Sequence, residues 1–386
     1  MRRTSASGRS LAPSVPSCRT RLPPGFSLVE VMVALVITMI GTIAMMTAFA
    51  RFEGQKRTTT AGNDAQQAGT YALFEMERQI RTAGSALIQG RSAVYAAWGC
   101  AITARNAGAA VLPLPGTLPA PFDVVPATVR ALPVIVHAGS GATSDVLAVV
   151  SGNPSVRTFG AKIELAAANA VRMKNSTFGY YANDYLLAGD GSGNCALGVI
   201  GAPPDPVARD LLLRDDASPP TGFQGKRYLF DLGTRPIFAL YGVNAQRNTL
   251  QTYDLLQRDG AAAAEISDGI VAMKALYGVD NGAGGTAGDG IVVAWVAPTG
   301  AWAASLLTDG SEAAAVSTYR IKAVRLAVVS RVQLGERESD HVGATTLSLF
   351  ADVPAAAVTL PIESRYRYKI YDTTIPLHNA AIESIY

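Results

Sequence analysis

Gly25 opens onto an apolar run of 25 residues, Phe26 to Ala50, in which Glu30 is the only group able to ionise. As an α-helix this run would rise about 37 Å, enough for a hydrocarbon core of roughly 30 Å. A charge at mid-membrane costs roughly 2.5 to 3.5 kcal/mol on insertion scales, and less near an end. A carboxylate kept inside such a segment therefore implies a function and a partner of opposite charge.

The flanks set a direction. Arg2, Arg3, Arg9, Arg19 and Arg21 precede the run with no acid among them, while Arg51, Lys56 and Arg57 follow it and are offset by Glu53. This excess predicts a cytoplasmic leader and a translocated body. The alternative is a cleaved secretory signal, for which Ala48-Phe49-Ala50 offers an A-x-A site. Against it, the run is far longer than the roughly 7 to 15 residues of a signal core, and signal cores carry no glutamate. Arg2-Arg3 lacks the surroundings of a twin-arginine signal and belongs to the basic leader.

The hexapeptide Gly25-Phe26-Ser27-Leu28-Val29-Glu30, with its basic leader and long apolar run, resembles the signal of type IV prepilins and pseudopilins. The resemblance implies that a prepilin peptidase cuts between Gly25 and Phe26 on the cytoplasmic side. Phe26 then becomes the N-methylated first residue, and Glu30 is the acidic residue of the motif. Such a cut leaves the helix in the mature chain and creates a cationic amine at its end. The Glu30 carboxylate can neutralise that amine on a neighbouring subunit. An ion pair in low dielectric is favourable only with good geometry, and a broken one is strongly unfavourable, so the pair would act as a register device. Without the family motif, Glu30 reads as an interfacial residue solvated by headgroups.

The chain has 386 residues and a formal charge of +3, with 33 basic and 30 acidic residues. Without the five leader arginines, 28 basic residues face 30 acidic ones, a formal net of −2. The basic character thus sits in the leader, and no nucleic-acid partner is expected. Charged residues make up only 16%, which suits an extracytoplasmic β-rich body better than a cytosolic enzyme. The residues past the helix are enough to bury a real core, as one lobe or as two divided near residue 210.

Cys18 lies in the leader. Cys100 and Cys195 remain, an even count in a compartment that permits disulfides, and they are expected to pair; two separate buried thiols are the alternative. A closed loop of that length stabilises by roughly 4 to 5 kcal/mol in the chain-entropy model.

After the apolar run, Leu73, Met76, Ile80, Ala83 and Leu87 step by 3 and 4, one face of an amphipathic helix. Gly54, Gly62 and Gly69 lie between the two halves, where a bend or local melting is expected, since each weakens a helix by up to about 1 kcal/mol. Beyond Gly90 the signals are β: Val134 to Val136, Asp145 to Val150, Tyr228 to Leu232, Ile237 to Val243, Ile291 to Val296, Ile321 to Ser330, Thr346 to Phe350 and Tyr366 to Tyr371. Ile321 to Ser330 is apolar on both faces, which predicts a central strand. Glu265 to Tyr277 is compatible with a short helix. Leu112 to Pro126 and Ala202 to Pro220 are proline-rich loops.

The body resembles the PilW family of minor pilins at scattered places. These are Ser144 to Val149, Tyr185 to Cys195, Val271 to Asp280 with Trp302, Ala323 to Leu326, Arg365 to Tyr368, and Pro376 to Asn379.

Other motifs carry less. Gly282 to Ala287 meets the loose dinucleotide pattern, but a strand rather than a helix follows it, so it reads as a hairpin loop. Asp280, Asn281 and Asp289 hint at calcium, yet Ile291 stands where an EF-hand needs glutamate. Gly189 to Asn194 is a turn cluster tied down at Cys195. Gly222 to Arg227 lacks the spacing and hydroxyl of a phosphate loop. His137, His341 and His378 have no ligand-like spacing, so no metal is expected. Tyr180, Tyr181 and Tyr185 form either an aromatic patch or partly buried strand positions.

The expected fold is α+β and pilin-like: a leader over 1–25, a long membrane-anchoring helix over 26–88, and a large antiparallel β-rich body over 89–386. The expected function is that of a minor type IV pilin, a structural subunit helping to initiate assembly near the filament tip. No enzyme activity and no cofactor are expected. The expected partners are the prepilin peptidase, other minor and major pilins, the inner-membrane assembly machinery, and membrane lipid before assembly. The protein would sit in the inner membrane with its N-terminus cytoplasmic and its body periplasmic, then on the pilus surface. A type II secretion pseudopilin and a signal-anchored periplasmic enzyme or binding domain are the alternatives.

Overall fold

A computed structural model describes residues 25–87, 97–281, 290–335 and 343–381. The leader with Cys18, the Gly282 to Ala287 motif with Asp289, and His341 lie outside the described residues. The chain divides into two compact units, Met1–Arg57 and Thr58–Tyr386.

One helix, α1, runs from Leu28 to Thr82 without a break. The local melting expected among Gly54, Gly62 and Gly69 is absent. The run holds no proline, and burial of Ala65, Ala72, Met76 and Ile80 outweighs a penalty of about 1 kcal/mol per glycine. Glu53–Arg57, Glu75–Arg78 and Glu77–Arg81 pair at helical spacing. In the first unit, the apolar window of α1 has a mean hydropathy of 2.3 and none of it is buried. In the second unit, Ala65, Gly69, Ala72, Met76 and Ile80 are buried, continued past the helix by Ala83 and Leu87. That is the expected stripe, except that Ala72 rather than Leu73 is its fully buried member.

The body holds an eight-stranded, a five-stranded and a four-stranded sheet and one two-stranded hairpin among the described residues. The eight-stranded sheet uses β1 (Ala101–Asn106), β2 (Ala109–Leu112), β5 (Ala161–Ala166), β6 (Ala170–Met173), β7 (Tyr185–Gly189), β8 (Asn194–Val199), β9 (Asp210–Leu212) and β10 (Tyr228–Gly233). Its spatial order is β2-β1-β8-β7-β10-β5-β6-β9. The five-stranded sheet uses β3 (Val134–His137), β4 (Val146–Ser151), β11 (Ile237–Asn244), β12 (Thr249–Asp254) and β13 (Ala264–Asp268), in the order β13-β12-β11-β4-β3. The four-stranded sheet uses β14 (Ile270–Val279), β15 (Ala294–Val296), β16 (Ile321–Arg331) and β19 (Tyr368–Pro376), in the order β15-β14-β16-β19. The strands β17 (Thr346–Leu349) and β18 (Val358–Pro361) pair only with each other. Pairing is antiparallel except between β1 and β8.

Alternation along the strands explains the layering. On β4, Val146 and Val150 face a core shared with Phe230 and Leu232 of the eight-stranded sheet. Leu147 and Val149 point the other way, into a core shared with α1 and the four-stranded sheet. On β16, Val324, Leu326 and Val328 join that second core, whereas Ala327 and Val329 meet Leu349, Phe350 and Leu360 of the hairpin. β16 is therefore central, flanked by β14 and β19, as its two apolar faces predict.

Several boundaries differ from expectation. Glu265 to Tyr277 is not a helix but β13 and most of β14, joined at Gly269 with φ +68°. A strand buried on both faces loses its period-2 signature and mimics a buried helix. The strand expected from Ile291 begins only at Ala294. The last strand starts at Tyr368 and extends to Pro376. Residue 210 lies within the eight-stranded sheet, which draws strands from both sides of it.

Candidate functional site

Gly25, Phe26 and Ser27 are extended and exposed, with Phe26 84% accessible, and α1 starts immediately after them. Ser27 is the N-cap. The Glu30 backbone N–H donates to Ser27 Oγ at 3.4 Å, and the Ser27 N–H donates to Glu30 Oε2 at 3.3 Å. This reciprocal pair is a capping box, and it satisfies two of the donors that a helix start leaves open. Sequence reasoning assigned Glu30 but missed Ser27, although the S-x-x-E spacing is the known signal. Glu30 thus sits one turn inside the helix, on an exposed surface that is otherwise apolar through Ala50. A carboxylate on such a surface can accept a cationic group.

The second half of α1 is fixed to the body by polar contacts at its carbonyls. The Ser267 hydroxyl donates to Ala68 O at 3.1 Å and the Tyr371 hydroxyl to Gln66 O at 3.3 Å. Asn379 Nδ2 donates to Thr82 O and Ala83 O, at the carbonyl-rich end of the helix. The Gly84 N–H continues onto Val150 O at 2.8 Å. A buried ion pair holds the sheets beneath. Asp145 Oδ1 lies 2.9 Å from Lys274 Nζ and also accepts the Gly139 N–H, while Oδ2 accepts the Ala275 N–H. Burial pushes the Asp145 carboxyl up, and Lys274 with these hydrogen bonds pulls it back.

Cys100 and Cys195 are joined by a disulfide across 95 positions, and both are buried. It ties β8 to the residue before β1, beside the parallel pairing of Ile102 with Cys195. Residues 190–193 form the β7–β8 turn, as expected for Gly189 to Asn194, and Lys226 from the 222–227 loop pairs with Asp190 at 2.8 Å. The three tyrosines do not make one patch: Tyr180 is buried, Tyr181 is half exposed, and Tyr185 lies part-buried on β7. Among the described residues no group of three or more His, Cys, Asp or Glu is placed to hold a metal ion.

The family model of the type IV pilus-assembly protein W matches residues 239–379, from within β11 to the chain's last described helix turn. That span holds the Val271, Ala323, Arg365 and Pro376 segments singled out in the sequence. The Ser144 and Tyr185 segments lie before it. A second family model, the prokaryotic N-terminal methylation motif, matches residues 24–46. No curated protein and no solved structure matches the chain. Both matched families belong to structural components of pili. With a methylation motif opening an unburied apolar helix and a PilW match in the sheets that carry the helix's second half, the chain is similar to PilW-like type IV pilins.

Proposed function

We propose that the protein is a minor pilin that helps to initiate pilus assembly within a complex of like subunits at or near the filament tip. The observation that carries this reading is the exposed apolar run of α1 up to Ala50, whose only carboxylate, Glu30, stands four residues from Phe26. A surface this apolar is stable in lipid or against other helices, and a glutamate on it calls for a counter-charge.

The steps are those that the prepilin resemblance implies for these residues. The precursor inserts with its arginine-rich leader in the cytoplasm and its body in the periplasm. The prepilin peptidase cuts between Gly25 and Phe26 and methylates the Phe26 amine. Membrane lipid holds the helix until the assembly machinery moves it into a bundle with minor and major pilins. Glu30 then turns from the Ser27 cap to the Phe26 amine of a neighbour and sets the axial register. The PilW match favours a pilus over a type II secretion pseudopilus. Replacing Glu30 by alanine is expected to leave cleavage intact and to lower the amount of protein recovered in sheared filaments. Wild-type recovery of that variant would remove the salt bridge from the mechanism.

A further inference from the structure

Among the buried polar side-chain atoms of the described residues that stand without a hydrogen-bond partner are Oδ2 of Asp231 and the hydroxyl of Tyr180. Their residues are 1% and 3% exposed. Asp231 lies on β10 opposite Leu186 of β7, in the middle of the eight-stranded sheet. Its Oδ1 accepts the Gly233 N–H at 2.8 Å, at a bulge where Gly233 takes φ +72°. A side chain at 233 would collide with the Asn153 backbone, so the bulge is held in place. Tyr180 belongs to the core formed with Leu186, Leu229 and Phe223.

A second buried carboxylate and one cation act on the pair. Asp184, 3% exposed, accepts the Tyr181 N–H at 2.6 Å in the turn before β7. Arg157 stacks over the Tyr180 ring at 4.8 Å. Its guanidinium donates to Phe178 O and Ser176 O, so it braces the turn instead of pairing with a carboxylate. That turn carries Phe178, 74% exposed, and Tyr181.

A buried carboxylate with one open oxygen and a second carboxylate nearby is costly as an anion, and such a group takes a proton instead. Burial pushes Asp231 up to about 7; the Gly233 N–H opposes this, the Asp184 charge adds to it, and Arg157 pulls it down. Burial also raises Asp184 and Tyr180. We propose that Asp231 is a proton-operated latch: as the neutral acid it lets β7, β10 and the 177–184 turn close over the Tyr180 core, and as the anion it loosens them. The direction is fixed by linkage. The folded group binds its proton more tightly than the unfolded one, so the stabilisation is complete below the unfolded value. It is lost as pH rises through about 7.

Amide hydrogen exchange on the full chain in lipid nanodiscs tests this, between pH 5 and pH 8.5 and corrected for intrinsic rates. Protection of the β7 and β10 amides is expected to fall by about tenfold per pH unit as pH rises toward 7, and to level off above it. The Asp231→Asn variant, neutral at every pH, is expected to lose that slope, whereas Asp145→Asn, in another core, is expected to keep it. A flat wild-type profile, a slope of opposite sign, or an unchanged slope in Asp231→Asn overturns the latch. If Asp231→Asn does not fold, the wild-type profile alone decides. The inference stands apart from the pilin reading, since it concerns only the body.

Discussion

The ring of Tyr371 fills the space that a side chain at Gly69 would need. A Cβ at position 69 would lie within 2.7 Å of Tyr371 Cζ and Cδ2, and the Tyr371 hydroxyl donates to Gln66 O one turn away. The edge strand β19 therefore reaches α1 only because residue 69 has no side chain. Gly69→Leu is expected to destabilise the body by about 1 to 3 kcal/mol in urea unfolding, since overpacking outweighs the gain in helix propensity. Tyr371→Ala in the same chain is expected to restore most of the loss. Additive costs in the double variant would show that the two residues are not coupled.

The Asp145–Lys274 pair makes a different test. Both side chains are buried and hydrogen-bonded on all sides. Asp145→Ala alone is expected to cost about 3 to 5 kcal/mol, because it strands a buried ammonium group. Asp145→Leu with Lys274→Met is expected to recover most of that stability, since an apolar pair of similar volume avoids the desolvation penalty. Denaturant midpoints of the three proteins decide it; a double variant as weak as the single one contradicts the account.

His137 closes β3 at 8% exposure, and burial lowers it to about 4 from an ordinary 6.5. The folded state thus binds this proton less well than the unfolded one. Its contribution is complete above 6.5 and is lost as pH falls through about 4. Thermal unfolding midpoints of the wild type are expected to drop on acidification across that window more steeply than those of His137→Gln. Parallel curves would show that the imidazole is solvated. This trend runs opposite to that of Asp231, and because the two windows overlap the contributions offset each other between about 4 and 6.5.

The sequence made the helix and its anchor legible because one-sided and all-round apolar patterns survive any tertiary context. Met76, Ile80, Ala83 and Leu87 stepped by 3 and 4 and are buried as that spacing requires. β16 was legible for a related reason: eleven residues with apolar side chains on both faces fit only a covered strand. β14 was not, because Ile266, Ile270, Met273 and Tyr277 also match a helical period and burial on both faces erases the alternation. The close seat of the Tyr371 ring on Gly69 was hidden, because its partner lies far away in sequence. The parallel pairing of β1 with β8 is a long-range event that local pattern does not encode, although the Cys100–Cys195 bridge beside it was expected from cysteine count. At the candidate site, Gly25, Phe26 and Glu30 were legible as a motif, and Ser27 was overlooked within it. Asp231 carried only a faint signal, a lone acid within Tyr228-Leu229-Phe230-Asp231-Leu232.

The central claim is that the apolar helix stays in the mature protein and begins at a modified Phe26. Intact mass analysis with N-terminal peptide sequencing of the protein recovered from membranes and filaments measures this directly. The account predicts a chain starting at N-methylated Phe26, with Glu30 retained. A mature chain starting at Arg51, or one still carrying its arginine leader in the filament, contradicts it.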